Sequence, residues 1–479
     1  MFLLTLYIIL SILISRLILK ANIFNIASFS LISYWATYPL ERLSIGDIYQ
    51  TIVGIKERGI YLYSIFGFSF LLGVFIISKI NPPKVNVFAS LNSKNNLFFI
   101  SIFLGLLGLF CFSYTYDFDI SNYIDFNFGT DSDGVVKLSR AERLSFLSKA
   151  KNALPYSIFF IPSITTLLIA IKKFGLRNLN NLFLSFIIFL INIPILFSYI
   201  IEGDRTSLIK FAGVVFFTLL LSQNSVYESN KNSYLIENFR LNKKILINRI
   251  KIFFILLSLF CFLIFIGMGR GNGWRMSSRI FLNLSKQIER KMLPTSEFRS
   301  VNYTIDFALA RDYINNKKTA KMFTWDKVIF YPLPTYVYKG IFKEKKPPNI
   351  GDAIGLETKN YVYGPQDNRK LGYGLSPIAE GWINSKYLGI AVLGLIYGFS
   401  IGLLQNFYNK ISLDKINLLD IYILNTLAIV PLIMRAGSAG IYNWIFSTSF
   451  VMLLPILLIT IFQRKKQLSN QRRNSKEIE

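Results

Sequence analysis

The chain has 479 residues, of which 52% are hydrophobic and 16% aromatic, while only 17% are charged. A soluble domain of this length carries less apolar surface, so the composition predicts an integral membrane protein. Lys and Arg number 53 against 27 Asp and Glu, a net charge of +26 that favours anionic partners such as lipid headgroups, phosphates or acidic glycans. Histidine is absent and the two cysteines lie in apolar runs, which excludes imidazole-based metal sites and a disulfide framework.

Apolar runs of about 20 residues, the length that crosses a bilayer, recur along the chain. The first run lacks the basic start and the small-residue cleavage site of a secretory signal, so we expect it to be retained. The pattern predicts an all-α polytopic membrane protein with about eleven transmembrane helices, within a range of about ten to twelve. The runs are 2–19, 22–39, 60–78, 97–115, 154–171, 180–201, 206–222, 252–268, 387–405, 417–434 and 440–462.

The distribution of Lys and Arg predicts the orientation of the spans. One set of short connections, together with the C-terminal tail, carries about twice as many Lys and Arg as the opposite set. The positive-inside rule places that set, and so the tail, in the cytoplasm, and an odd number of spans places the N-terminus outside. Residues 1–268 are thus predicted as an N-terminal bundle of about eight helices, 387–462 as C-terminal transmembrane helices and 463–479 as a basic cytoplasmic tail.

A long polar stretch, residues 269–386, separates two of the apolar runs. It is too long for a connector, so we predict a domain of short helices and irregular segments on the outer face of the membrane. Its Lys and Arg outnumber its Asp and Glu about two to one, although positive charge is normally scarce on that face. The excess favours an anionic ligand.

Several arginines lie where a predicted helix should meet the membrane interface. Guanidinium groups bind phosphate oxygens in pairs and keep their charge when partly buried, so this group suits a pyrophosphate whose lipid tail stays in the bilayer. The alternative is ordinary pairing of interfacial arginines with lipid headgroups. The arginines are Arg205, Arg270, Arg275, Arg279 and Arg435.

Two groups of carboxylates are candidates for chemistry. Glu380 lies at a predicted helix start beside the membrane surface, where it can act as a general base or simply complement the helix dipole. The pairs Asp117 with Asp119 and Asp131 with Asp133 lie in an outer loop, where they can hold a divalent cation or be a solvated acidic segment.

Three motifs resemble bacterial O-antigen or oligosaccharide repeat-unit polymerases of the Wzy type. Residues 203–207 resemble the Gly-x-Arg-x-Ser turn of that family, and residues 332–347 resemble its proline-and-lysine segment. Residues 374–384 resemble its Gly-x-Ser-x-x-x-Glu-x-x-x-Asn entry to a span, although the family's usual Asn-Phe-Gly continuation is Asn384-Ser385-Lys386 here. The resemblance implies a GT-C-like architecture with one large periplasmic loop.

The resemblance also implies an activity. Such a polymerase transfers a growing glycan from undecaprenyl pyrophosphate to a lipid-linked repeat unit, at the periplasmic face of the inner membrane, without nucleotide sugar, cofactor or metal. A chain-length regulator is then an expected partner, besides the lipid-linked glycan and the bilayer, and no nucleic acid is expected. By this resemblance the catalytic residues are Glu380, Arg275 and Arg270, the pyrophosphate-binding residues are Arg205, Arg279 and Arg435, and the acceptor contacts are Asp204, Ser376 and Asn384.

Three other functions compete with the polymerase. An O-antigen ligase uses the same lipid carrier, but that family is expected to use a loop histidine, which this chain lacks. A metal-dependent GT-C glycosyltransferase would depend on Asp117 and Asp119 and would be inhibited by EDTA. A flippase of lipid-linked glycans is disfavoured by the large outer loop, because transporters usually have short outer loops and charges near the membrane midplane.

Overall fold

The computed structural model describes part of the chain. The described residues are 9, 13, 26–35, 55–80, 94–119, 121, 156–201, 205–229, 304–305, 307–309, 335–343, 376–413, 416–433, 437–438, 440–449 and 451.

Regular structure in these residues is helical. The α-helices are α1 (Ile26–Trp35), α2 (Ile55–Ser78), α3 (Lys94–Thr115), α4 (Ser157–Phe174), α5 (Leu179–Ile201), α6 (Arg205–Ser229), α7 (Thr335–Phe342), α8 (Pro377–Tyr408) and α9 (Leu418–Leu427). A short 3-10 turn, Val430–Leu432, follows α9. Residues 437, 438 and 440–449 are also helical and are called the final helix below.

Five helical segments are long and apolar enough to cross a membrane, judged by length and composition. They are Tyr61–Ser78, Asn95–Thr115, Ser157–Phe174, Leu179–Ile200 and Pro377–Tyr408. Each overlaps a predicted apolar run, which is compatible with a helical membrane protein. The total of about eleven spans and the GT-C-like architecture stay predictions.

Helices α2 and α8 pack closely along their length. Three glycines of α8, spaced four residues apart, face α2. A Cβ added to Gly394 would lie 2.8 Å from the carbonyl oxygen of Phe66, and one added to Gly398 would lie 2.7 Å from the carbonyl carbon of Phe70, whereas Gly402 meets the Ile77 side chain. Small residues at this spacing let two helices in a membrane approach closely. The ring of Tyr397 meets Phe66 edge-on, at 5.9 Å between centroids.

Side-chain hydrogen bonds link the other helices at depth in the bundle. The hydroxyls of Ser101 on α3 and Ser163 on α4 each donate to the other's carbonyl oxygen, at 2.8 Å. Thr165 Oγ1 donates to Asn425 Oδ1 at 2.5 Å, and Trp444 Nε1 donates to the Asn425 carbonyl at 3.2 Å. In a bilayer no water can replace these partners, so the bonds hold α3, α4, α9 and the final helix in register.

Part of the long loop joins this core. Residues 304–305 and 307–309 are helical, and their side chains are buried, with Ile305 and Leu309 in the main apolar cluster. Helix α7 begins directly after Pro334, where a proline in the preceding chain favours a helix start. Helical residues therefore occur at these two places, and the loop domain over 269–386 stays a prediction.

Candidate functional site

Helix α8 begins with a short first segment, residues 377–384, that carries Glu380 in its first turn. Ser376 is extended, and its Oγ accepts a 3.1 Å hydrogen bond from the Ile378 amide, while Pro377 follows as the first helical residue. A serine cap followed by proline is a strong helix start, because the cap satisfies a free amide and proline has none to lose. Asn384 Nδ2 donates to the Glu380 carbonyl oxygen at 2.9 Å near the end of the segment.

The first segment then turns back on the long part of α8. Ser385 and Lys386 leave the helical conformation, with Lys386 at φ 51° and ψ −130°. A Cβ added to Gly381 would lie 2.7 Å from the backbone nitrogen of Ile390, nine residues later. In a straight helix these residues would be about 13 Å apart. The segment therefore forms a tight helical hairpin, which was not predicted.

The carboxylate of Glu380 is buried and bound by one residue of the final helix. Its side chain is 3% exposed. Oε2 accepts a 2.8 Å hydrogen bond from the amide of Ser438, and Oε1 accepts one from the Ser438 hydroxyl. Ser438 lies among the first described residues of the final helix. Glu380 thus links the start of α8 to the final helix.

A contact between α6 and the final helix indicates that α6 begins at the end of the bundle that holds Glu380. Lys210 Nζ lies over the ring of Trp444, at 3.9 Å from its centroid. Lys210 is five residues, about 7.5 Å, into α6 from Arg205, and Trp444 is six residues, about 9 Å, beyond Ser438. At the far end of the bundle the Tyr408 hydroxyl donates to the Phe217 carbonyl at 2.8 Å, so α6 and α8 run in the same direction.

The predicted site residues fall into two groups. Glu380, Ser376 and Asn384 lie together in the first segment of α8, as their spacing suggested. Arg205 is the first residue of α6, at the end of the bundle that holds Glu380, though its side chain is outside the description. Outside the described residues lie Asp204, Arg270, Arg275, Arg279 and Arg435. Their predicted roles stay predictions.

Sequence reasoning missed Ser438 as a partner of Glu380. The two residues are 58 positions apart, and no local pattern links them. The one available signal was Arg435-Ala436-Gly437-Ser438, in which glycine and serine precede an apolar run as they do at many helix starts. Arg435 is three positions before Ser438, and three residues of chain span at most about 11 Å.

The acidic pair of the metal hypothesis lies just beyond α3. Asp119 is exposed, and its Oδ1 accepts a 2.8 Å hydrogen bond from the Ser121 amide. Hydrogen bonds from the Ser121 side chain and backbone lower the pKa of Asp119. Asp117 has a positive φ of 58°. Within the described part of the chain, His, Cys, Asp and Glu form no group of three or more that could hold a metal ion, and Asp131 and Asp133 lie outside that part.

An apolar cavity of about 340 Å³ lies elsewhere in the bundle, between α4, α5 and α6. Phe160, Phe186 and Phe211 contribute to its walls, and Ser185 and Asn192 are its polar lining residues. No charged residue lines it, so it does not suit a sugar or a pyrophosphate, and Glu380 takes no part in it.

The chain matches no protein-family model, no curated protein and no solved structure. Its function is therefore argued from the residues and their geometry.

Proposed function

We propose that this protein is a Wzy-type polymerase that joins lipid-linked oligosaccharide repeat units, with undecaprenyl pyrophosphate as the leaving group. The observation that carries the proposal is the buried carboxylate of Glu380, fixed by Ser438 at the end of the bundle where α6 begins with Arg205. Arg435, three positions before Ser438, brings a second predicted phosphate-binding arginine to the same end. The apolar helices support a membrane location, as a lipid-linked substrate requires.

The reaction needs a proton acceptor and fixed positive charge. The acceptor hydroxyl of one repeat unit attacks the anomeric carbon of the donor glycan, forming the new glycosidic bond. The bond between that carbon and the pyrophosphate oxygen breaks, its electron pair leaves with the lipid pyrophosphate, and the hydroxyl proton passes to Glu380. Each carboxylate oxygen has a second lone pair beyond the one Ser438 uses, so Glu380 retains acceptor capacity for the hydroxyl.

Arginines supply the positive charge in this proposal. Arg270 and Arg275 act with Glu380 at the reacting atoms, while Arg205, Arg279 and Arg435 bind the pyrophosphate, whose negative charge increases as it leaves. Asp204, Ser376 and Asn384 contact the acceptor glycan. Because Ser376 Oγ and Asn384 Nδ2 already bond the first segment of α8, their contribution to the acceptor site includes holding that segment in place.

The proposed location follows the same reasoning. The protein resides in the bacterial inner membrane, with residues 269–386 in the periplasm and the basic tail in the cytoplasm, where the positive-inside rule puts it. A polysaccharide chain-length regulator is a proposed partner.

A reconstituted reaction tests the proposal. The purified protein in liposomes is supplied with lipid-linked oligosaccharide extracted from source cells that lack this chain, in parallel reactions with and without EDTA and with no nucleotide sugar. A ladder of regularly increasing glycan length on a gel is the expected product. Activity that EDTA abolishes would indicate the metal-dependent glycosyltransferase, and movement of intact lipid-linked units across the bilayer without a ladder would indicate a flippase. Transfer of glycan to a lipid A core, and only there, would indicate a ligase.

A further inference from the structure

Ser438 supplies both hydrogen bonds that the structure gives to the Glu380 carboxylate, one to each oxygen. The backbone amide reaches Oε2 and the hydroxyl reaches Oε1, so the plane of the carboxylate is fixed as well as its position. The terminal torsion of a glutamate is otherwise broad, and a carboxylate bound through one oxygen can rotate about it. Two donors from one residue therefore orient the lone pairs that remain.

We propose that Ser438 is a positioning residue that holds the Glu380 carboxylate in the orientation that accepts the proton of the acceptor hydroxyl. This role rests on the polymerase proposed above. The first segment of α8 fixes where the carboxylate lies, because its hairpin packs Gly381 against Gly389 and Ile390. Ser438 fixes where the carboxylate points, from a different helix.

The two hydrogen bonds can be separated by substitution. Ser438→Ala keeps the amide donor to Oε2 and removes the hydroxyl donor to Oε1. Ser438→Thr keeps both donors, while Ser438→Cys keeps nearly the size of serine but offers a much weaker donor. Ser449 is a matched control in the same helix, because its hydroxyl also makes partly buried hydrogen bonds, to the Tyr422 hydroxyl at 3.0 Å and to the Ile445 carbonyl at 2.8 Å.

A purely structural role for Ser438, as a clamp between α8 and the final helix, makes a different prediction. Loss of a clamp lowers the unfolding temperature and reduces the amount of active protein. The unfolding temperatures of the alanine, cysteine and threonine variants of Ser438 then depend on how well each side chain packs. Loss of orientation lowers the turnover rate of protein that remains folded. The positioning role therefore predicts a fall in kcat with little change in KM or in unfolding temperature.

The test measures the initial rate of ladder formation in liposomes, at several concentrations of the extracted lipid-linked oligosaccharide, for each variant. We expect Ser438→Ala and Ser438→Cys to lower kcat by about tenfold or more, the scale of a lost hydrogen bond to a charged group, with KM within about twofold. Ser438→Thr should restore most of the rate, and Ser449→Ala should keep it.

Each contrary result has a distinct meaning. Wild-type protein that makes no ladder refutes the polymerase itself. A wild-type ladder that Ser438→Ala and Ser438→Cys leave unchanged refutes only the role of Ser438. A threonine variant as slow as the alanine variant also overturns the positioning role. A fall in unfolding temperature that accounts for the whole loss of rate assigns Ser438 to the clamp.

Discussion

Substitution of Gly381 by alanine tests the helical hairpin that carries Glu380. The added Cβ would lie 2.7 Å from Ile390 N and 2.8 Å from Gly389 C and Ile390 Cα, whereas ordinary contact begins at 3.4 Å. All three neighbours are backbone atoms, which cannot rotate away, so the two backbones must separate by about 0.7 Å. Glu380 is the adjacent residue, and an equal shift would stretch its bond to the Ser438 amide from 2.8 Å to about 3.5 Å.

The energetic cost combines two effects. Overpacking of this kind costs about 1–3 kcal/mol, and loss of a hydrogen bond to a charged group costs about 1.5–3 kcal/mol. Alanine recovers up to about 1 kcal/mol of helix propensity. We therefore expect Gly381→Ala to lower the free energy of unfolding by about 2–4 kcal/mol and to reduce polymer synthesis strongly.

The assay is the unfolding temperature of detergent-solubilised protein, followed by tryptophan fluorescence, together with polymer yield in complemented cells. Gly340→Ala in α7 is the matched control: a Cβ there meets nothing within 4 Å, so it should be neutral or slightly stabilising. A Gly381→Ala protein as stable and active as the wild type would refute the hairpin packing of the first segment.

Three further substitutions test other parts of the account. Gly398→Ala would place a Cβ against the carbonyl group of Phe70, 2.7 Å from its carbon, so unfolding in detergent should become easier by about 1–3 kcal/mol; an unchanged unfolding temperature would contradict the α2–α8 packing. Lys386→Gly should raise stability by about 1 kcal/mol, because φ 51° with ψ −130° suits glycine; a drop in unfolding temperature would argue against this turn. Lys210→Met should lose about 1 kcal/mol of cation–π stabilisation over Trp444, whereas Lys210→Arg should retain it.

The long apolar helices could be predicted because a bilayer requires an apolar composition in any segment that crosses it. A segment that crosses hydrocarbon must be apolar for about 20 residues, so the runs at 60–78 and 97–115 correspond closely to Tyr61–Ser78 and Asn95–Thr115. Asp420, near the start of the predicted span 417–434, marks a helix start. Its Oδ2 accepts from the Asn417 amide at 2.9 Å, and Asn417 Oδ1 accepts from the Asp420 amide at 2.9 Å, a reciprocal cap.

The hairpin and its partner could not be predicted in the same way. The apolar run indicated a helix from 387, but α8 begins ten residues earlier, at Pro377. The sequence does not indicate the turn at Lys386, because lysine is not a residue that favours a positive φ. The contact between Glu380 and Ser438 depends on the packing of two helices far apart in sequence, which local patterns do not encode.

The central claim is that Glu380 is the proton acceptor of a metal-independent glycan polymerase. The most direct measurement compares the wild type, Glu380→Gln and Asp119→Asn in the same liposomes, with extracted lipid-linked oligosaccharide and EDTA. We expect a glycan ladder from the wild type and from Asp119→Asn, and unextended repeat units from Glu380→Gln, which is similar in shape but cannot take up the proton. A full-length ladder from folded Glu380→Gln, or its loss in Asp119→Asn, would contradict the assignment.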